Sequence, residues 1–180
     1  MSYIYHQKPS SMQGTVLYPL NELREKYPVT FDQEVKKYAD REELMQQWVP
    51  RLECLWSDVL FTLPINPSFV FRAMINAGLQ PNPAREWYKI SIRDIKDRTM
   101  AWYSYPDRGK GDFSILDEDV ALLNVQAYKE LTSVPQDTID YYKRVAKNGE
   151  QPFLFHLIPH VLIKGSVDIS DSETIGWANK

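Results

Sequence analysis

Cysteine occurs once in the 180 residues, at Cys54. A lone thiol excludes an intramolecular disulfide framework and any multi-cysteine zinc module. Histidine occurs three times, as His6, His156 and His160, so imidazole chemistry of any kind rests on those positions. Glycine is sparse, 7 residues against 12 prolines, and no G-x-x-x-x-G-K-[ST] or G-x-G-x-x-G phrase is present. The phosphate-cradling loops that need those glycines are therefore absent. There is no G-x-S-x-G elbow and no His-x-Glu with a paired Cys-x-x-Cys, which excludes nucleophile-elbow hydrolases and zinc deaminases. No apolar run approaches the roughly 20 residues of a membrane-spanning helix. Neither sign of charge dominates: Lys+Arg is 21, Asp+Glu is 24, and the net charge is -3. That excludes a strongly basic nucleic-acid coat and leaves room for a local basic patch. The opening Met-Ser-Tyr-Ile-Tyr-His has no basic region followed by an apolar stretch, and it predicts a cytoplasmic protein.

What the chain has in quantity is aromatic surface, with 11 Tyr, 7 Phe and 5 Trp. Such side chains build a core from few residues, or line a groove where the polar ends of Tyr and Trp find partners. The length suits one domain over residues 1–180, helix-rich to about residue 80 and strand-rich beyond. Residues 3–6 are β-prone, and 14–20 read as a short strand or ordered loop. Asn21 is placed to cap a short helix that Pro28 ends. Helical patterns follow over 31–38 and 41–49, the second capped by Asp40 with Leu44, Met45 and Trp48 on one face. Residues 52–63 are apolar without a decisive period. Asn66-Pro67 marks a helix start and Gly78 its stop, with Val70, Phe71, Met74 and Ile75 as the buried stripe. Residues 87–92 and 99–105 alternate as strands. Residues 117–131 are predicted helical, and 135–147 form a helix closed by Asn148-Gly149. The strongest β signals are 153–158 and 161–169, divided by Pro159, and the tail after Ser170 reads as exposed and loose. This order is not a regular βαβ alternation. It predicts an α+β fold, with a mixed or antiparallel sheet and helices packed on one side.

Three groups of residues carry candidate chemistry. Cys54 stands in an apolar phrase, which favours a buried, inert thiol. The run Arg108-Gly109-Lys110-Gly111-Asp112 reads as a solvated hairpin loop, because its glycines are not spaced to open a phosphate-binding helix. The three histidines all lie in β-prone segments and are placed to converge if the first and last strands are neighbours. They are then structural, ligand-binding, or metal-ligating together with Asp58.

A set of phrases occurs in a particular order: Tyr5-His6 in the opening strand, Asp40-Arg41-Glu42-Glu43, Val49-Pro50, and Trp56-Ser57-Asp58-Val59-Leu60-Phe61 with a proline phrase behind it. Tyr88-Lys89-Ile90 follows, then Phe153-Leu154-Phe155, Ile158-Pro159-His160 and Lys164-Gly165-Ser166-Val167. In this order the chain resembles the DarT-like ADP-ribosyltransferases, NAD-consuming enzymes of toxin and phage-defence systems. The resemblance implies an ADP-ribosyltransferase-like fold with NAD in a cleft against the sheet. It implies that His6 bonds the ribose beside the nicotinamide, that Tyr18 or Tyr88 stacks on the nicotinamide, and that His156 adds a cofactor contact. Arg41 is implied to pair with the pyrophosphate and to serve the catalytic step. A carboxylate stabilises the oxocarbenium-like state, and Glu150 and Asp58 are the candidates. The acceptor is a nucleic acid or a protein, with Lys89, Arg93, Lys96, Arg98, Arg108 and Lys110 as the basic patch. The chain departs from the family at two points. Gln151-Pro152-Phe153 stands where the catalytic Glu belongs, with Glu150 out of phase, and Pro64-Ile65-Asn66-Pro67 lacks the family's Arg.

Two other classes fit the same residues. One is a non-enzymatic module with Trp87, Trp102, Tyr103 and Tyr105 on a protein-facing surface, or a degenerate nucleotide binder without turnover. The other is a metal-dependent hydrolase built on His6, His156, His160 and Asp58.

Overall fold

The computed structural model describes residues 2–109 and 111–178. Lys110 of the basic patch lies outside the described residues. In chain order the elements are β1 (Tyr3–Gln7), β2 (Val16–Leu17), α1 (Leu20–Lys26), α2 (Pro28–Val35), β3 (Trp48–Val49), β4 (Cys54–Leu55), β5 (Val59–Thr62) and α3 (Pro67–Asn76). There follow β6 (Glu86–Ser91), β7 (Met100–Tyr103), β8 (Val120–Leu122), α4 (Gln136–Asn148), β9 (His160–Lys164), β10 (Val167–Asp168) and β11 (Glu173–Gly176). Short 3₁₀ turns cover Lys36–Tyr38, Glu42–Gln46, Trp56–Asp58 and Asp117–Asp119. No helix among the described residues is long and apolar enough to cross a membrane.

The fold is α+β, and its sheets are antiparallel. One has the order β1-β6-β11 and the other β5-β9-β7-β8, with two-stranded pairs β2-β10 and β3-β4 beside them. The two larger sheets are stitched together where β1 meets the end of β5. Tyr5 N–H donates to the Leu63 carbonyl at 3.0 Å, and Leu63 N–H donates back to Tyr5 at 2.8 Å. The first and last strands do not pair. Both flank β6. In place of one helical layer there are two pairs. Helices α1 and α2 lie against each other and near the 3₁₀ turn at Trp56–Asp58, whereas α3 and α4 share a core with Tyr5, Trp87 and Trp177.

Several local expectations are met by the physics that motivated them. Asn66 caps α3 by accepting from Ser68 N–H at 3.0 Å, and Pro67 fills the first turn. Val70 and Met74 are buried, but Ile75 on the same predicted stripe is 47% exposed. Gly149 closes α4 in the left-handed region at φ 67°. Other expectations are corrected. Pro19, not Asn21, precedes α1, and Asn21 spends its amide on Asp58 at 2.6 Å. Pro28 opens α2 as well as ending α1, because a fixed φ suits a first turn. The helix expected over 41–49 is one 3₁₀ turn and then β3. Asp40 takes φ 65°, and Trp48 is 56% exposed. Residues 117–131 are a 3₁₀ turn, β8 and loop, because the edge of β7 offers Val120–Leu122 a ladder. Residues 153–158 are not a strand, for reasons that α4 supplies. The tail is not loose. β11 pairs with β6, and Trp177 behind it is fully buried, its indole N–H on the Asn82 carbonyl at 2.9 Å.

Candidate functional site

A cavity of about 370 Å³ opens where the two larger sheets meet. Its walls come from many places in the chain: His6 on β1, Phe61 on β5, Trp87 on β6, Tyr103 on β7 and His160 on β9. The helical hairpin α1–α2 contributes Leu23, Thr30 and Glu34, and the 3₁₀ turns contribute Lys37, Tyr38 and Trp56. The β7–β8 connection returns over the cavity with Tyr105, Arg108, Asp112 and Phe113. Arg108, Gly109, Gly111 and Asp112 thus lie in the connection between two paired strands, as expected of a hairpin loop, but Arg108 is turned to the cavity and is not simply solvated.

The segment 153–156 completes the wall, and α4 holds it there. Tyr141 Oη accepts from Phe153 N–H at 2.9 Å, Tyr142 O–H donates to the Leu154 carbonyl, and Thr138 O–H donates to the His156 carbonyl at 2.9 Å. Three hydroxyls of one helix take the backbone groups that a strand neighbour would otherwise satisfy. His156 then packs on the Tyr141 ring, with centroids 4.2 Å apart.

The three histidines share this cavity. Burial pushes the His160 imidazole down to about 4, and burial followed by the Lys37 ammonium does the same to His6. Burial also lowers His156. All three are neutral at neutral pH. The Nδ1 of His160 lies 2.8 Å from the Ile158 carbonyl, which can only accept, so Nδ1 carries the proton and Nε2 the lone pair. The cationic groups at the cavity are Lys37, Arg41 and Arg108. Lys37 pairs with Glu34 at 2.5 Å. Arg41 donates to the Lys37 carbonyl at 2.7 Å and lies 5.2 Å from the Phe153 ring centroid and 5.8 Å from that of Tyr38. Arg108 pairs with Asp119 at 2.6 Å. Enclosed side-chain polar atoms without a partner are concentrated at this cavity. Such side-chain atoms among the described residues are His6 Nδ1, Trp87 Nε1, Arg108 Nε, Arg85 Nε and Ser91 Oγ, and the first three belong to cavity-lining residues.

Of the residues nominated from sequence, His6, Tyr18, Arg41 and His156 line the cavity. Tyr88, Glu150 and Asp58 do not. Tyr88 stands opposite His6 in the β1–β6 ladder but packs into the core with Ile4 and Leu17, while its neighbour Trp87 borders the cavity. Glu150 follows the end of α4, exposed, and accepts from the Asn148 amide at 2.9 Å. Asp58 accepts from Leu55 N–H at 3.0 Å and from Asn21, so its carboxylate closes a 3₁₀ turn. No group of three or more His, Cys, Asp or Glu among the described residues is arranged to hold a metal ion. The aromatics expected on a protein-facing surface lie inside: Trp87 and Tyr103 are buried, and Trp102 and Tyr105 are half-buried. Cys54 is buried, and desolvation raises its thiol pKa. Sequence reasoning passed over Tyr38, Phe153 and the cavity role of Arg108. No local pattern marks them, because each arrives through a loop or 3₁₀ turn.

Compared with protein-family models, with curated proteins and with solved structures, the chain gives no match.

Proposed function

We propose that this protein binds a nucleotide in the cavity between its two sheets, with NAD the nucleotide that the family resemblance implies, and that it binds without turning it over. The observation that carries this reading is the composition of a single cavity. Aromatic faces from Tyr18, Tyr38, Trp56, Tyr105 and Phe153 stand beside three cationic groups and three neutral imidazoles. Aromatic faces suit a base, guanidinium groups suit phosphate, and a neutral imidazole with free ring nitrogens offers a donor and an acceptor to ribose hydroxyls, while His160, its Nδ1 proton held by Ile158, offers Nε2 as an acceptor. A volume of about 370 Å³ falls within the size range of small-molecule sites. NAD fits this donor set: Arg41, which takes part in no ion pair among the described residues, meets the charge of its phosphates, and enclosed His6 Nδ1 and Trp87 Nε1 lack partners that a polar ligand supplies. When bound, NAD supplies a glycosidic bond that breaks through a cationic state, and that step needs a free carboxylate. Neither Glu150 nor Asp58 reaches the cavity, Glu34 is paired with Lys37, and Asp112 accepts from Ser114 O–H at 2.6 Å. Binding without transfer to a nucleic-acid or protein acceptor follows.

The test is calorimetry with NAD on the wild-type protein and on His6→Ala, with an assay for released nicotinamide. Binding that weakens about tenfold or more in His6→Ala, with no nicotinamide released, is the expected result. No heat at millimolar NAD overturns the reading, and release of nicotinamide overturns the part of it that denies turnover.

A further inference from the structure

We infer that Arg108 is the phosphate-recognising residue of this cavity and that Asp119, which lies outside it, is the residue that positions the guanidinium. The inference rests on the nucleotide-binding reading and specifies which part of the ligand the cavity selects.

Arg108 lies in the β7–β8 connection, a stretch without regular structure in which a long side chain has no reason to hold one pose. Here it is held. Its Nη2 donates to both carboxylate oxygens of Asp119, each at 2.6 Å. Asp119 is only 5% exposed and is itself fixed. Its Oδ2 accepts from Leu116 N–H at 2.8 Å, and its carbonyl accepts from Ser104 N–H at 2.9 Å. The anchor therefore sits at the join between a 3₁₀ turn and β8. This pairing is not the parallel fork that uses two guanidinium nitrogens. One nitrogen carries it, and the remaining donors are left over. Nε is closed off from solvent without an acceptor, and the residue lines the cavity. An enclosed charged N–H with nothing to bond is costly unless a ligand supplies the acceptor.

The acidic groups whose charge bears on Arg108 are Asp119, Glu118 and Asp112. Of the cavity's other cations, Lys37 is paired with Glu34, and Arg41 takes part in no ion pair among the described residues, so Arg41 is the charge that draws an anion in. The carboxylate that faces Arg108 from its own connection, Asp112, is turned onto the N–H and O–H of Ser114 at 2.9 and 2.6 Å. Asp119 neutralises part of the Arg108 charge and fixes its direction, and the phosphate completes its donor set. A phosphate carried on a stacking base is the chemistry that uses both the aromatic walls and the preset guanidinium.

The experiment is calorimetry with inorganic pyrophosphate, ADP, adenosine and NAD against the wild type, Arg108→Gln, Arg108→Lys and Asp119→Asn. In the wild type, ADP is expected to bind at least about tenfold tighter than adenosine. That preference is expected to vanish in Arg108→Gln, to survive in part in Arg108→Lys, and to shrink severalfold in Asp119→Asn while adenosine affinity stays unchanged. A merely structural role for Asp119 would weaken adenosine and ADP together. Arg108→Gln leaves a buried carboxylate unpaired, so if its thermal melt shows a loss of folding, the double variant Arg108→Gln/Asp119→Asn is read in its place. A phosphate preference that persists in Arg108→Gln overturns the assignment and leaves nucleotide binding intact. Pyrophosphate binding that depends on Arg108, with no binding of adenosine or NAD, sustains the assignment and overturns the nucleotide reading. No heat from any of the four ligands overturns both.

Discussion

Trp177→Ala tests whether the end of the chain is structural. The indole is fully buried beneath β11, with its ring centroid 5.3 Å from Phe71 and 6.0 Å from Trp87. Its N–H donates to the Asn82 carbonyl at 2.9 Å. Truncating a buried tryptophan to alanine costs about 3–5 kcal/mol through lost transfer energy and the cavity left behind. Loss of the hydrogen bond adds about 1 kcal/mol. Against a total stability of roughly 5–15 kcal/mol this is a large fraction. With a urea slope of about 2 kcal/mol per molar, a loss of about 4 kcal/mol lowers the unfolding midpoint by about 2 M. Trp177→Phe keeps most of the packing and loses only the N–H, and is expected to cost about 1–2 kcal/mol. The measurement is urea unfolding of the three proteins, followed by fluorescence and by circular dichroism. A loss below about 1 kcal/mol for Trp177→Ala would refute the reasoning, because it would mean that β11 and its indole stand off the core in solution.

Stability depends on pH in a direction set by the half-buried histidines of the cavity. His6 and His160 are held at about 4, below the value near 6.5 expected in the unfolded chain. Between those values the unfolded state binds more protons, so stability is full above pH ~6.5 and falls as the pH drops to about 4. Each histidine contributes up to about 3 kcal/mol to that loss. The urea midpoint at pH 7 is therefore expected to exceed that at pH 4.5, and His160→Gln to flatten the difference; equal slopes in both proteins would exclude His160 as a source. Glu130 receives Tyr3 N–H at 2.7 Å and Tyr5 O–H at 2.9 Å. Glu130→Ala strands both donors and is expected to cost about 2–4 kcal/mol in chemical unfolding, with less than about 0.5 kcal/mol weighing against this tie.

The legible parts of the fold are those where one residue decides a local event. Asn66-Pro67 starts a helix and Gly149 ends one because capping and a left-handed φ act within a few residues. Strands β6 and β7 were legible because alternation is a local record of burial. The tail was not legible. Residues 173–176 have only Thr174 and Ile175 to mark them as a strand, and what holds them is the free edge of β6, some 85 residues earlier in the chain. The edge of β7 likewise claims Val120–Leu122 from a stretch that reads as helix. His6 and Arg41, nominated by their order in the chain, both line the cavity. Tyr88, the ladder partner of His6, packs with Ile4 and Leu17 and not against the cavity, and no local pattern records that difference.

The segment 153–156 shows why the site was only half visible. Its composition is that of a strand, and its backbone groups need partners as a strand's do. Those partners are Thr138, Tyr141 and Tyr142, three residues on one face of α4. A helix that satisfies a neighbouring extended segment through hydroxyls frees that segment from sheet alternation. Phe153, Leu154, Phe155 and His156 then all border the cavity, which a strand would not allow for four consecutive residues. The tyrosines of α4 therefore shape the wall of the cavity without lining it themselves. The aromatic richness of the chain divides between rings that line the cavity and phenols that hold the lining in place.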